Sequence, residues 1–145
     1  VDDDGVISFR QANIGLAVAA PNGLTVPVIH GADSIGLEEI ASRRKDIVER
    51  ARSGSLTRED ISGGTFTISN LGMMGIRRFD AILNVPQAAI LAVGSTELRL
   101  RLVGGENQWL PIAEFTLTCD HRAIDGALGA SFISKFKELL ESKLS

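Results

Sequence analysis

The sequence has one cysteine, Cys119, in 145 residues. No internal disulfide framework can brace it, and a reducing compartment fits. No apolar run approaches the roughly 20 residues needed to cross a bilayer. Basic charge is not in excess: a formal net charge of -3 gives no electrostatic footprint for nucleic acid and no polybasic membrane anchor. The two histidines, His30 and His121, have no metal-ligand spacing with each other or with Cys119, so no zinc site is expected. Gly63-Gly64 and Gly72-Met73-Met74-Gly75 do not make a phosphate-binding loop, because neither fits the pattern and no lysine follows. No methionine opens the chain, and the acidic run Asp2-Asp3-Asp4 at its head is unlike a signal peptide. The expectation is a chain that begins inside a longer protein.

What is present is ordinary globular material. Hydrophobic residues make up 44% and charged residues 23%, enough apolar surface for a packed core and too much for disorder. Val6 to Phe9 reads as a short strand. Ile14 to Ala20 is a nearly continuous apolar run that suits a strand buried on both faces. Pro21-Asn22-Gly23 supplies turn chemistry, and Leu24 to Ile29 is a second β-rich run, in which Pro27 argues for an edge or an irregular stretch. From Ile35 the period becomes helical. Ile35, Leu37, Ile40, Ala41, Ile47, Val48 and Ala51 share a face, Asp33 or Ser34 can cap the start, and Gly54 can end the helix.

A connecting segment runs from Ser55 to Gly64. Thr65 to Ser69 then alternates polar and apolar residues as a half-buried strand does. Asn70 to Arg78 reads as a loop, and Ala88 to Val93 as a buried strand. Leu98 to Val103 and Trp109 to Thr118 flank Gly104 to Asn107 as a hairpin. A closing helix is expected from about Gly126 to Ser142, with Leu128, Phe132, Ile133, Phe136, Leu139 and Leu140 on one face. There is no internal repeat and no linker to a second domain. Mixed strands and two amphipathic helices predict an α/β layered domain.

Chemistry concentrates between the last strand and the closing helix, in Thr118 to Gly126. A side chain there can be held rigidly and still be accessible. His121 is the best candidate base, since an unperturbed imidazole titrates near neutrality. Composition alone favours the plainer reading, a histidine that merely caps a strand end. Asp125, just before the helix, is a natural N-cap, and it shares a face with His121 if the turn between them is helical. Arg122 can pair with a carboxylate and hold the turn, or stand as a surface charge. His30 reads as a turn residue. Cys119 reads as a small buried or half-buried side chain, and would be a nucleophile only with a lowered pKa.

Asp120-His121-Arg122-Ala123-Ile124-Asp125-Gly126 resembles the His-Arg-x-x-Asp-Gly signature of dihydrolipoamide acyltransferases, the acyltransferase components of 2-oxoacid dehydrogenase complexes. Chloramphenicol acetyltransferases and peptide-synthetase condensation domains carry a related pattern. Three further stretches resemble the first family, in its order and spacing: Pro21 to Ile29, Gly63 to Gly72 and Asn84 to Gly94. Together they cover nearly the whole chain. Asn70 to Gly75 and Gly126 to Ala130 look closer to the pyruvate-type, acetyl-transferring branch.

The resemblance implies a chloramphenicol-acetyltransferase-like two-layer sandwich of mixed sheet and helices, incomplete at the amino end. Residues 1–145 would be the carboxy-terminal part of one catalytic domain, without a lipoyl or peripheral-subunit-binding domain. It implies acyl transfer between dihydrolipoamide and coenzyme A, both substrates, the lipoamide carried on a separate lipoyl domain, with no tightly bound cofactor and no metal. His121 would be the base, Ser69 the donor to the oxyanion with Asn70 as a rival, and Asp125 the residue that orients the His121 loop. The implied assembly is a homotrimer with sites between subunits, built into a larger core with a 2-oxoacid decarboxylase and dihydrolipoamide dehydrogenase. The implied location is bacterial cytoplasm or mitochondrial matrix. Two other functions compete: a non-catalytic core or scaffold subunit, and a related acetyltransferase with a hydroxyl acceptor.

Overall fold

A computed structural model describes Val1 and residues 5–144; the run Asp2-Asp3-Asp4 lies outside the described residues. The centre is a five-stranded mixed sheet in the order β4-β1-β5-β6-β9, accompanied by two separate two-stranded pairs, β2-β3 and β7-β8. The elements are β1 (Ile14–Leu16), β2 (Val18–Ala20), β3 (Gly23–Thr25), β4 (Val28–Ile29), α1 (Leu37–Ser53), β5 (Phe66–Asn70), β6 (Ala89–Val93), β7 (Glu97–Val103), β8 (Glu106–Ile112), β9 (Phe115–Cys119) and α2 (Gly126–Leu144). This is the expected α/β architecture of mixed sheet and helices, and among the described residues no sheet closes into a barrel.

The longest apolar run of the sheet is its best buried strand. In β6, Ala89 to Ala92 are buried, between β5 running parallel and β9 running antiparallel. A strand covered on both faces needs apolar residues at every position rather than at alternate ones. Thr67 of β5 is fully buried and donates its hydroxyl to Gln87 Oε1 at 2.6 Å, which pairs a polar group that would otherwise be costly to bury. Backbones also approach closely at the carboxy ends of these strands. A Cβ on Gly94 would stand 1.9 Å from the Arg77 carbonyl oxygen, so only glycine lets the 70–78 loop pack there.

Several expectations need correction. Val6 to Phe9 forms no strand, and Val6, Ile7 and Phe9 are exposed; without a paired neighbour an extended run has no ladder to join. The run Ile14 to Ala20 is not one strand but two, β1 and β2, interrupted at Ala17. β1 enters the large sheet while β2 turns away to pair with β3. Leu24 to Ile29 is likewise broken at Val26 and Pro27, and its second half, β4, is the sheet's edge, where a residue without an N–H is tolerated. Trp109 to Thr118 divides at Ala113 and Glu114, so that β8 completes the hairpin and β9 joins the sheet. Neither Asp33 nor Ser34 caps α1. Gly36 takes that position with no side-chain cap, because Asp33 accepts the Ala12 N–H and the Ser34 hydroxyl donates to the Gly31 carbonyl. The carboxy end is as expected: Gly54 is left-handed at φ 71° and its N–H returns to Ala51 and Arg50.

The helices secure opposite ends of the sheet order. α1 buries Ile47 and Ala51 beside β2 and β4. Arg50 of α1 forks onto Asp60 in the connecting segment, and that pairing, with help from Thr57, holds the Asp60 carboxyl well below the usual carboxylate range. α2 lies against β5 and β9 through two ring contacts, Phe132 on Phe66 with centroids 5.7 Å apart and Phe136 edge-on to Phe115 at 5.1 Å.

Candidate active site

β9 delivers the chain to the segment between strand and helix. Its last rung is the Asp120 N–H donating to the Ala88 carbonyl at 2.8 Å. The chain then folds back on itself. The Asp120 carbonyl accepts from the N–H groups of Ala123 and Ile124, each at 3.0 Å. Its carboxylate accepts the Arg122 N–H at 3.0 Å and Arg122 Nη2 at 2.8 Å, with Arg122 Nε at 3.1 Å. The Arg122 guanidinium, aided by its backbone N–H, lowers the Asp120 carboxyl to about 2. Among the described residues, a carboxylate partner of Arg122 is therefore the residue two positions before it.

Asp125 is the N-cap of α2: its Oδ1 accepts the Leu128 N–H at 2.8 Å and its carbonyl accepts the Gly129 N–H at 3.0 Å. Helical geometry does not extend back continuously to His121. One turn closes, from the Ile124 N–H to the Asp120 carbonyl, and the helix proper starts at Gly126. Even so, His121 and Asp125 line one cleft of about 570 Å³ together with Cys119 and Ile124, and Arg78 and Glu114 line its other reach along β9. His121 is exposed, and among the described residues its imidazole has no hydrogen-bond partner. Among the described residues neither ring nitrogen is engaged, so one is open to act as a base; the acceptor that would fix the tautomer through the other nitrogen is not among them.

Cys119 shares the cleft but is a poor nucleophile, because burial pushes its thiol up from the ordinary value. His30 occupies the expected turn, next to Gly31 at φ 60°. Its Nε2 is 3.4 Å from the Glu59 carbonyl and its own carbonyl accepts from Arg43. Among the described residues no group of three His, Cys, Asp or Glu gathers as metal ligands would.

Ser69 stands elsewhere. It is half-buried near the end of β5, in register with Ala92 of β6, which in turn faces Thr116 of β9. His121 follows Cys119, which faces Ala89. Cys119, the last residue of β9, is three residues along the strand from Thr116 and two strands across from Ser69. At ~3.3 Å per residue and ~4.8 Å per strand, that is roughly 14 Å between backbones, and His121 lies beyond the strand end. One chain does not bring Ser69 and His121 together. Asn70 is exposed, and its Oδ1 accepts the Gly72 N–H at 2.9 Å, an Asx-turn that begins the glycine loop. The Ser69 hydroxyl has no partner among the described residues.

Reasoning from sequence missed the Thr67–Gln87 bond behind Ser69 and the two charges at the far reach of the cleft. Arg78 had no distinguishing signal in a loop with two adjacent arginines. Glu114 reaches Arg99 Nη1 at 2.8 Å and Arg77 Nε at 3.0 Å, contacts across separate elements that periodicity does not show.

Comparison with known proteins bears on the whole chain. Residues 1–145 match the family described as 2-oxoacid dehydrogenases acyltransferase (catalytic domain). The acetyltransferase component of the pyruvate dehydrogenase complex of Rickettsia bellii is 42% identical over 140 residues, which are 97% of this chain and 34% of that protein. The mitochondrial counterpart of Dictyostelium discoideum is 43% identical over 145 residues, 98% of this chain and 23% of its own. The chain thus spans about a third or less of the length of these relatives. Among solved structures, the dihydrolipoamide acetyltransferase of Azotobacter vinelandii superposes with a TM-score of 0.89 at 37% identity, covering 92% of this chain and 55% of that one. A serine, a histidine and an asparagine of that enzyme have been investigated for their role in its catalytic mechanism. The cubic core of a pyruvate dehydrogenase multienzyme complex superposes with a TM-score of 0.89 at 36% identity, over 92% of this chain and 55% of its own.

Proposed function

Since the chain belongs to the 2-oxoacid dehydrogenase acyltransferase family, we propose that its protein transfers an acyl group, acetyl in particular, between dihydrolipoamide and coenzyme A. The observation that carries this reading is the His121 turn: an imidazole with no partner among the described residues, on a cleft shared with the helix-capping Asp125. Further support comes from the Azotobacter enzyme, where the serine, histidine and asparagine occur in the same order and at the same separations as Ser69, His121 and Asp125 here. This chain has aspartate where that enzyme has asparagine.

His121 takes the proton from the coenzyme A thiol. With an ordinary pKa near 8.5, such a thiol is only a few per cent thiolate at pH 7, so a base is the first requirement. The thiolate attacks the thioester carbonyl of acyl-dihydrolipoamide and a tetrahedral oxyanion forms. Ser69 donates its hydroxyl to that oxygen, an interaction typically worth about 3 kcal/mol. Asn70 is the rival donor: the Gly72 N–H holds its side-chain oxygen and leaves its amide N–H groups available. Collapse expels the dihydrolipoamide thiolate, which recovers the proton from the imidazolium. Asp125 acts by capping α2 and anchoring the histidine loop. Coenzyme A and lipoamide enter as substrates, and no resident cofactor is required by these steps.

The separation of Ser69 from the end of β9, roughly 14 Å across the sheet with His121 beyond it, supports a site shared between subunits, the histidine from one and the serine from its neighbour. We read residues 1–145 as the carboxy-terminal part of one catalytic domain in a homotrimer. Such trimers would build a larger core that receives lipoyl domains and works with a 2-oxoacid decarboxylase and dihydrolipoamide dehydrogenase. The occurrence of both bacterial and mitochondrial relatives is consistent with the cytoplasm or the mitochondrial matrix.

The test is acetyl transfer from acetyl-coenzyme A to dihydrolipoamide by the full-length protein beside its His121→Ala and Ser69→Ala variants. Turnover should fall about a hundredfold or more without the imidazole. Mixed trimers of the two variants should recover activity that neither shows alone. Equal rates in parent and His121→Ala would remove the base, and an inactive parent would favour a scaffold subunit.

A further inference from the structure

We infer that Asp120 and Arg122 are positioning residues that together set the turn presenting His121 to the cleft. The inference deepens the reading of His121 as the base and rests on it.

Little backbone is available between strand and helix. β9 ends at Cys119 and the N-cap of α2 is Asp125, leaving residues 120–124 to reverse the chain and hold the imidazole. Asp120 supplies both halves of the order in that segment. Its carbonyl gathers the N–H groups of Ala123 and Ile124. Its carboxylate gathers three donors of Arg122: the backbone N–H, Nε and Nη2. The residues on either side of His121 are therefore bound to each other, and the peptide between them is the histidine's own. Its φ and ψ have little freedom while that pairing lasts.

Position and burial separate this role from direct chemistry. Neither Asp120 nor Arg122 lines the cleft that His121 and Asp125 line. The Asp120 side chain is only 16% exposed, although it sits in a loop, while that of Arg122 is 61% exposed. An exposed guanidinium two residues from its carboxylate adds little to overall stability. Displacement of a catalytic group by 1 Å, by contrast, can cost about a hundredfold in rate. The Asp120 carboxyl, lowered to about 2 by Arg122, stays ionised throughout the neutral range. The pairing therefore persists under the conditions in which the enzyme would turn over. A planar fork is needed to engage both carboxylate oxygens, which a lysine ammonium offers only as a point charge.

The experiment measures kcat, KM and melting temperature in the full-length protein for Asp120→Asn, Arg122→Gln, Arg122→Lys and the Asp120→Asn/Arg122→Gln double variant. The expected result is a kcat on the order of 10- to 100-fold lower for each of the first two, with KM for coenzyme A within about twofold of the parent. Arg122→Lys should fall in between, and the double variant should be no worse than the poorer single, because the pair acts as one unit. Should Asp120→Asn fail to fold, Arg122→Gln decides the matter, since its side chain is exposed. The inference is overturned if Arg122→Gln keeps kcat within about twofold of the parent, if the losses lie in KM, or if the two single losses multiply in the double variant. Failure of the underlying reading has a different appearance: His121→Ala would then match the parent.

Discussion

Two regions of this molecule use the same apolar residues to opposite ends. In β6 and its neighbours, Ile90, Leu91 and Ala92 are almost wholly buried, and Val28, Ile29, Ile47 and Ala51 join them. In the β7-β8 hairpin, Leu98, Leu100, Leu102 and Trp109 are substantially exposed, with Leu98 at 67% against 3% for Leu91. Leu98, Leu100 and Leu102 share one face, with Pro111 and Trp109 opposite the first two. On α2, Leu128, Phe132 and Leu139 of the expected apolar stripe are also exposed. The accessible surface totals 10069 Å², whereas a compact monomer of 15.5 kDa would expose only about 7200 Å². An amphipathic pattern therefore identifies a face that calls for cover without saying that the same chain supplies it.

The sharpest way to test the contrast is to make one substitution in each region. Leu91→Ala should cost about 2–5 kcal/mol of stability, measured by denaturant unfolding of the full-length protein, and a loss below 1 kcal/mol would mean that the β6 core is not the well-packed side. Next, Thr67→Val removes the hydroxyl that donates to Gln87 in a fully buried position. Stranding the Gln87 oxygen should cost about 1–3 kcal/mol, and an unchanged unfolding midpoint would show that Gln87 finds another donor.

The Arg50–Asp60 fork ties α1 to the segment that leads into β5, and its effect should depend on pH. Asp60 is depressed below its ordinary 3.8. Its stabilising contribution is therefore present in full above pH ~4 and fades as the pH falls toward the folded-state pKa. The melting-temperature gap between the parent and Asp60→Asn should be constant from about pH 5 to 8 and shrink below about 4; a gap that widens in acid would contradict the pairing. The smallest effect belongs to Leu98→Ala, on the exposed hairpin face, which should change the stability of the fold by no more than about 0.5 kcal/mol. A cost like that of Leu91→Ala would erase the distinction between the regions.

Much of this arrangement was legible from local physics. The helix through Ile47 and Ala51 and its stop at Gly54 followed from period and left-handed geometry, as did the capping role of Asp125 and a hairpin at Gly104 to Asn107, though its turn is Gly104-Gly105 alone and β8 already begins at Glu106. Strand identity survived less well. Ile14 to Ala20 and Trp109 to Thr118 each read as one strand because apolarity is continuous across Ala17 and Ala113, yet each is divided between two sheets. Pairing partners are remote in sequence, and nothing local encodes which sheet a strand enters. Val6 to Phe9 shows the converse error, β-prone residues without a neighbour to pair with.

For the site, residue types and spacing alone determined that an imidazole, a helix-capping carboxylate and an arginine would lie within one strand-to-helix junction, because contacts within five residues are set by the local chain. The tertiary structure decided the rest. The sheet register sets Ser69 roughly 14 Å from the strand end that leads to His121, brings Arg78 and Glu114 to the histidine's cleft, and leaves apolar side chains of the hairpin and α2 exposed. Those outcomes depend on which strands pair and in what order, which is settled by the global burial of surface rather than by any short stretch of residues.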